Sequence, residues 1–188
     1  VAQLAGYTSE HAAYHHGEMS LNGAIINMAQ DYIGSNNINL LMPNGQFGTR
    51  LMGGKDHASP RYVFTQLSPL AELIYHPADA PLYTSLEDDG QKIEPAHYLP
   101  VIPMLLVNGG SGIGTGWSTT IPSYNPLEII QQLRNRMENK PLYRMKPWYN
   151  KFTGTIEPIQ GTTKFSVTGV YHWSSTNTII ITELPVGT

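Results

Sequence analysis

Cysteine is absent from the 188 residues, which excludes disulfide staples, thiolate metal sites and thiol redox chemistry and fits a reducing compartment. Charge is scarce as well: Asp, Glu, Lys and Arg make up 13% of the chain and sum to −3 at pH 7. Binding nucleic acid by counterion release wants a basic face, so that total argues against such a partner unless the charges are segregated. Residues 63–98 hold one basic and six acidic side chains, whereas residues 99–150 hold five basic and two acidic ones. Four of the seven histidines, His11, His15, His16 and His57, lie in the first 62 residues, where they can donate to phosphate. No apolar run approaches the roughly 18 residues of a membrane span. The start Val1-Ala2-Gln3-Leu4 lacks the basic flank of a secretory signal, so a soluble chain with no membrane partner is expected. Also missing are an Asp-x-Asp cluster for Mg²⁺-assisted phosphoryl transfer and any ATP-binding motif.

What is present suffices for one sizeable core, or one domain and part of a second, with 40% hydrophobic residues. Leu21, Ile25, Met28 and Tyr32 fall at helical spacing and predict an amphipathic helix over residues 18–33, stopped by Gly34. The apolar run 38–42 predicts a strand that turns at Pro43-Asn44-Gly45, and residues 61–65 are β-rich. Ser68-Pro69 opens a helix carrying Leu70, Leu73 and Ile74, and Glu87-Asp88-Asp89-Gly90 reads as a solvated turn. Residues 98–107, interrupted by Pro100 and Pro103, suit an extended connector leading into a buried strand, and the junction of two domains could fall there. Asn125-Pro126-Leu127-Glu128 resembles a capping box, followed by the stripe Ile129 or Ile130, Leu133 and Met137. The runs 167–170 and 178–182 read as strands of another sheet. Without a regular βαβ rhythm, the expected class is α+β.

The richest chemistry lies in Gly45-Gln46-Phe47-Gly48-Thr49-Arg50, Gly53-Gly54-Lys55-Asp56 and Ser59-Pro60-Arg61-Tyr62. Glycines allow close backbone approach, and Arg50, Lys55 and Arg61 could hold phosphate oxygens. A tyrosine attacks a phosphodiester only once its phenol proton is removed, and an adjacent guanidinium such as Arg61 lowers that cost and can neutralise charge in the transition state. From spacing alone, an Arg-Tyr pair before a strand is more often structural than reactive. His15 and His16 can donate to phosphate while Tyr14 packs on a sugar; solvated rings at a helix start are the plainer reading, and neighbouring histidines rarely converge on one metal ion. Residues 108–117 form a glycine-rich loop that meets neither the dinucleotide nor the P-loop pattern. An exposed Ile113 could wedge between base pairs, although packing beneath a flexible loop is the commoner fate of such a residue. Arg134, Arg136, Lys140, Arg144 and Lys146 are either a solvated helix face or a track for flanking DNA.

Taken together, Tyr14-His15-His16-Gly17-Glu18, Gly34-Ser35-Asn36-Asn37, the three segments around Tyr62, and Gly112-Ile113-Gly114-Thr115-Gly116-Trp117-Ser118 resemble the eukaryotic type II DNA topoisomerases, in that family's order. The resemblance covers essentially the whole chain. It implies that Tyr62 is the nucleophile of a 5′-phosphotyrosyl link, that Arg61 stabilises the transition state, that Tyr14, His15 and His16 contact DNA, and that Ile113 is the wedge. It further implies a winged-helix domain over residues 1–99, partial at its N-terminus, and the truncated beginning of an α/β tower domain over residues 100–188. Many eukaryotic relatives carry an acidic residue where this chain has Ser111. By the same resemblance, double-stranded DNA is the partner, and the complete enzyme is a homodimer using Mg²⁺ and ATP, neither held by these residues; its metal-binding and ATPase parts would precede Val1. The 188 residues alone would then be inactive. Nuclear localisation is implied, or a cytoplasmic replication site if a large DNA virus encodes the protein. The rival is a noncatalytic module that binds and bends DNA, with Tyr62 merely buried.

Overall fold

The computed structural model describes residues 1–188, which divide into two units, one of Val1–Asp31 with Ile38–Val101 and one of Tyr32–Asn37 with Ile102–Thr188. In the first unit α1 (Ala2–His11) packs on α2 (Glu18–Ala29). Fully buried Ala5 and Ala29 are small enough for the two helices to approach closely. Leu21, Ile25, Ile26, Leu41, Phe47 and Val63 complete this core, with Tyr14 and Ala58 against its edge.

α2 is shorter than the apolar spacing predicts. It stops at Gln30, whose backbone turns to ψ 135° four residues before Gly34. The buried stripe is Leu21, Asn22, Ile25, Ile26 and Ala29, while Met28 is exposed. Gln30 leaves the helix because its side chain is committed elsewhere: its Nε2 donates to the carbonyls of Phe47 (2.8 Å) and Gly54 (3.1 Å). Residues 40–44 and 64–68 do run antiparallel, through Met42 N–H to Gln66 O (2.8 Å) and Ser68 N–H to Leu40 O (2.9 Å). They make only the isolated bridges Leu41↔Leu67 and Asn44↔Phe64, not the predicted strands, since Pro43 offers no N–H to continue a ladder.

α3 (Pro69–Ile74) starts as its cap signal predicts, with the Ser68 hydroxyl accepting from Ala71 N–H at 3.3 Å. Its inner face is Ala71 and Ile74; Leu70 and Leu73 are exposed. The hairpin of β1 (Ser85–Asp88) and β2 (Gln91–Pro95) follows, turning at the acidic Asp88-Asp89-Gly90.

In the second unit the predicted buried strand is instead a helix, α4 (Met104–Asn108). Pro103 leads into it, the helix-favouring Met104, Leu105 and Leu106 sustain it, and Val107 is wholly buried. The glycine-rich segment is no loop: β3 (Gly110–Gly114) pairs with β4 (Trp117–Ile121) in an antiparallel hairpin that turns at Thr115-Gly116. α5 (Pro126–Met137) is capped by Asn125, whose Oδ1 accepts from Leu127 N–H at 2.9 Å; Ile129 is buried and Met137 exposed. Two further hairpins close the unit, β5 (Thr155–Pro158) with β6 (Phe165–Thr168), and β7 (Val170–Ser175) with β8 (Thr178–Glu183).

A single amide joins the separate segments of this unit. Buried Asn37 directs its Nδ2 at the carbonyls of Val107 (2.8 Å), Trp148 (3.0 Å) and Tyr124 (3.3 Å), and its Oδ1 accepts from Asn150 N–H (2.8 Å). Two amide hydrogens shared among three carbonyls replace the missing sheet ladder between α4, α5 and the chain before β5.

Candidate nucleic-acid interface

Tyr62 ends a 3-10 turn, Pro60–Tyr62, whose closing bond runs from Tyr62 N–H to Ser59 O at 2.9 Å. The next residue, Val63, is buried in the core and worth about 1.5–3 kcal/mol for that burial. Val63 is extended (φ −117°, ψ 146°), so anchoring it inward turns the following Phe64 to solvent, and the 3-10 turn before it leaves Tyr62 outside as well. Tyr62 is 69% exposed. It is not the sealed ring that a purely structural role requires. The Arg61 guanidinium carbon lies 5.6 Å from the centre of the Tyr62 ring. A cation over a ring face spends none of its in-plane N–H groups on that contact.

Arg50 and Lys55 flank a second tight loop. Arg50–Met52 is a 3-10 turn ended by Gly53 in the left-handed region (φ 58°). Asp56 closes the loop: its Oδ1 accepts from Thr49 N–H (2.8 Å) and its Oδ2 from the Thr49 hydroxyl (2.7 Å). Those two bonds, the backbone one first, hold the Asp56 carboxyl below the usual aspartate range. Gly48 fits the loop from below at φ 99°, where an added Cβ would lie 2.6 Å from Gly54 Cα and 2.5 Å from Gly54 O. Only glycine satisfies both the conformation and the space. With Gln30 bonded to Phe47 O and Gly54 O beneath it, the loop is fixed from two sides.

A lowered carboxyl contributes stability that is present above the ordinary aspartate value of about 3.9 and is lost as pH falls through the lower folded value. Acidification through and below the ordinary aspartate range should therefore release the Thr49–Asp56 loop. Protection of the Thr49 amide from hydrogen exchange, measured against the unstructured peptide rate at the same pH, should fall there, and Asp56→Ala should give the same loss of protection at neutral pH. Unchanged exchange in that variant would show that the clasp does not hold the loop.

Tyr14 is partly buried against the core; its hydroxyl meets Ser20 Oγ at 3.1 Å and its ring meets His16 edge-on at 5.4 Å. It supports His16 more than it offers a free face. His15 is exposed, with Nε2 3.7 Å from an Asp88 oxygen at the tip of the β1–β2 hairpin, an ionic pair whenever the imidazole is protonated. Ile113, in the second unit, is 95% exposed near the tip of the β3–β4 hairpin, so it is no core residue. No three His, Asp or Glu side chains converge to hold a metal ion, and the oxygens of Asp56 are taken by Thr49. The residues present do not fit Mg²⁺. No helix is long and apolar enough to cross a membrane.

The family model for the A-type subunits of DNA gyrase and topoisomerase IV matches residues 1–188. The chain belongs to this DNA gyrase/topoisomerase IV family. Among relatives, DNA topoisomerase 2 of Bombyx mori is 57% identical over 188 residues, which are 100% of this chain and 12% of that protein. DNA topoisomerase 2 of Saccharomyces cerevisiae is 53% identical over 188 residues, 100% of this chain and 13% of that protein. A crystal structure of the Plasmodium falciparum topoisomerase II DNA-binding, cleavage and re-ligation domain matches with a TM-score of 0.95 at 50% identity, covering 99% of this chain and 25% of that one. The expected kinship with eukaryotic type II topoisomerases thus holds along the whole chain, as does the mixed helix and sheet class. The supporting roles of Asp56, Gln30 and Gly48 escaped sequence reasoning. Asp56 stood visible in a Gly-Gly-Lys-Asp string, but the bonds of Gln30 span 17 and 24 residues and leave no local signal.

Proposed function

We propose that this chain is the part of a type II DNA topoisomerase that breaks and rejoins a DNA strand, with Tyr62 as nucleophile. The observation that carries the reading is a solvent-exposed phenol next to a guanidinium 5.6 Å from its ring. The phenolic oxygen bonds to phosphorus, the bond from phosphorus to the 3′ oxygen breaks, that oxygen takes up a proton and the phenol has given one up. The product is a 5′-phosphotyrosyl ester and a free 3′-hydroxyl. Because the aryl phosphate conserves the bond, the same hydroxyl can attack it and reseal the strand. Arg61 neutralises charge on the nonbridging oxygens, and Arg50, Lys55, His15 and His16 hold neighbouring phosphates, with Tyr14 bracing His16. A noncatalytic bending module would need no phenol in solvent beside a cation.

The three helices and hairpin of the first unit support a winged-helix assignment for residues 1–99, and the second unit supports the start of a tower over residues 100–188. Two copies acting on opposite strands would open a duplex, so the complete enzyme is proposed to be a homodimer on double-stranded DNA. Mg²⁺ and ATP are proposed for that enzyme, held outside these residues. Its place of work is the nucleus, or a cytoplasmic replication site for a virus-encoded copy.

The test is a trapped adduct: the complete enzyme with Mg²⁺ and duplex is denatured rapidly, and protein is sought on the DNA ends. Protein on 5′ ends is expected; free ends, or protein on 3′ ends, would contradict the assignment. Ile113 is proposed to wedge between base pairs, the unstacking being offset by contacts that bent DNA gains. Ile113→Ala should reduce the bend read by energy transfer between duplex ends and slow cleavage. A bend equal to the wild-type one would remove the wedge.

A further inference from the structure

We infer that Trp117 is a second DNA contact of the β3–β4 hairpin, its indole packing on the deoxyribose-phosphate backbone beside the step that Ile113 opens. The inference rests on the proposed strand-breaking function. In the hairpin, cross-strand partners share a face and successive residues alternate between faces. Gly110↔Ile121, Gly112↔Thr119 and Gly114↔Trp117 therefore lie on one face, and Ser111↔Thr120 and Ile113↔Ser118 on the other. Ile113 and Trp117 project from opposite sides of the same tip.

The Trp117 side carries glycines that nothing within the chain explains. Gly112 and Gly114 are not in the left-handed region. A Cβ at Gly112 would meet nothing within 4 Å, and one at Gly114 only the Trp117 carbonyl oxygen at 3.9 Å. Neither backbone conformation nor packing demands glycine there, and glycine inside a strand is costly. The remaining physical reason is something outside the chain that comes close to this backbone. The open space also shows that the indole does not fold back over the bare strand, in keeping with its 84% exposure.

The chemistry of that face fits a sugar-phosphate strand. Trp117 offers an apolar plane to a deoxyribose and one Nε1–H to a phosphate oxygen, and its face-mate Thr119 offers a hydroxyl. No Asp or Glu occurs between Glu94 and Glu128 to repel a polyanion. The face is continuous with the tip that carries the proposed wedge, so a strand reached by Ile113 passes beside it.

The complete enzyme carrying Trp117→Ala, Trp117→Phe or Ile113→Ala is titrated with a duplex labelled at both ends, reading affinity by anisotropy and bend by energy transfer. Tryptophan emission is compared between wild type and Trp117→Phe. Trp117→Ala should weaken binding about tenfold, the loss of one aromatic contact, while the bound duplex stays bent. Trp117→Phe, which keeps a ring and guards against a folding defect, should lose less than about threefold. The emission difference between wild type and Trp117→Phe should fall on adding DNA. Wild-type affinity in Trp117→Ala would overturn the inference while leaving the wedge intact if Ile113→Ala still loses the bend. An emission difference unmoved by DNA, with weakened binding, would place the indole against protein instead and equally overturn it. If neither position alters binding or bend, the hairpin does not meet DNA and both the wedge and this inference fall, while the strand-breaking reading still stands or falls on the Tyr62 adduct.

Discussion

Tyr62→Phe is expected to abolish the DNA adduct of the complete enzyme, lowering strand cleavage at least about 10⁴-fold, as losses of a nucleophile do. The substitution removes one oxygen from a side chain that is mostly in solvent, beside a buried Val63 that anchors the turn, so the fold has little to lose. The ring itself stays, and with it the contact to Arg61. Duplex affinity should therefore stay within about threefold, well under 1 kcal/mol. Cleavage assayed by denaturing electrophoresis and binding assayed by anisotropy separate the two effects. Equal adduct in Tyr62→Phe would assign the chemistry to another residue.

Arg61→Ala should be the next most damaging change, cutting cleavage by roughly 10² to 10³ while affecting binding far less, the scale of a lost charge stabiliser. The reason is differential. A phosphodiester in the ground state carries one spread negative charge, whereas the transition state concentrates charge on oxygens next to the entering phenol, where a guanidinium held over the ring can reach them. Lysine at the same position retains a charge but not the planar fork, so Arg61→Lys should recover only part of the rate. Single-turnover cleavage at saturating DNA is the measurement that decides. A defect confined to affinity, with a normal rate once DNA is bound, would make Arg61 a binding residue only.

The parts legible in the sequence were those whose causes are local. Ser68 and Asn125 cap their helices as their cap-proline pairs predict, because the side chain and the amide it accepts from lie two or three residues apart. The acidic turn at Asp88-Asp89-Gly90 is equally local. What failed depended on distant partners. α2 ends early because Gln30 is drawn to Phe47 and Gly54, not because of Gly34. The strands predicted over 38–42 and 61–65 reduce to two bridges because Pro43 breaks the ladder and Tyr62 belongs to a 3-10 turn. The glycines of β3 have poor strand propensity, and only the partner run Trp117–Ile121, rich in β-formers, brings them into a hairpin. That misreading mattered, since a loop left Ile113 free to be core and a hairpin puts it at an exposed tip.

The candidate site divides the same way. Residue types and spacing marked Arg50, Lys55, Arg61 and Tyr62, and motif resemblance raised Tyr62 above its neighbours. The supports beneath them, Asp56 on Thr49 and Gly48 against Gly54, emerged only with the fold.

The most direct measurement is chemical. The covalent complex of the complete enzyme with DNA should be trapped by denaturation, digested with nuclease and protease, and the peptide bearing a residual nucleotide sequenced by mass spectrometry. The modification should sit on the phenolic oxygen of Tyr62. A nucleotide on any other tyrosine, or on a serine or histidine, would contradict the proposal.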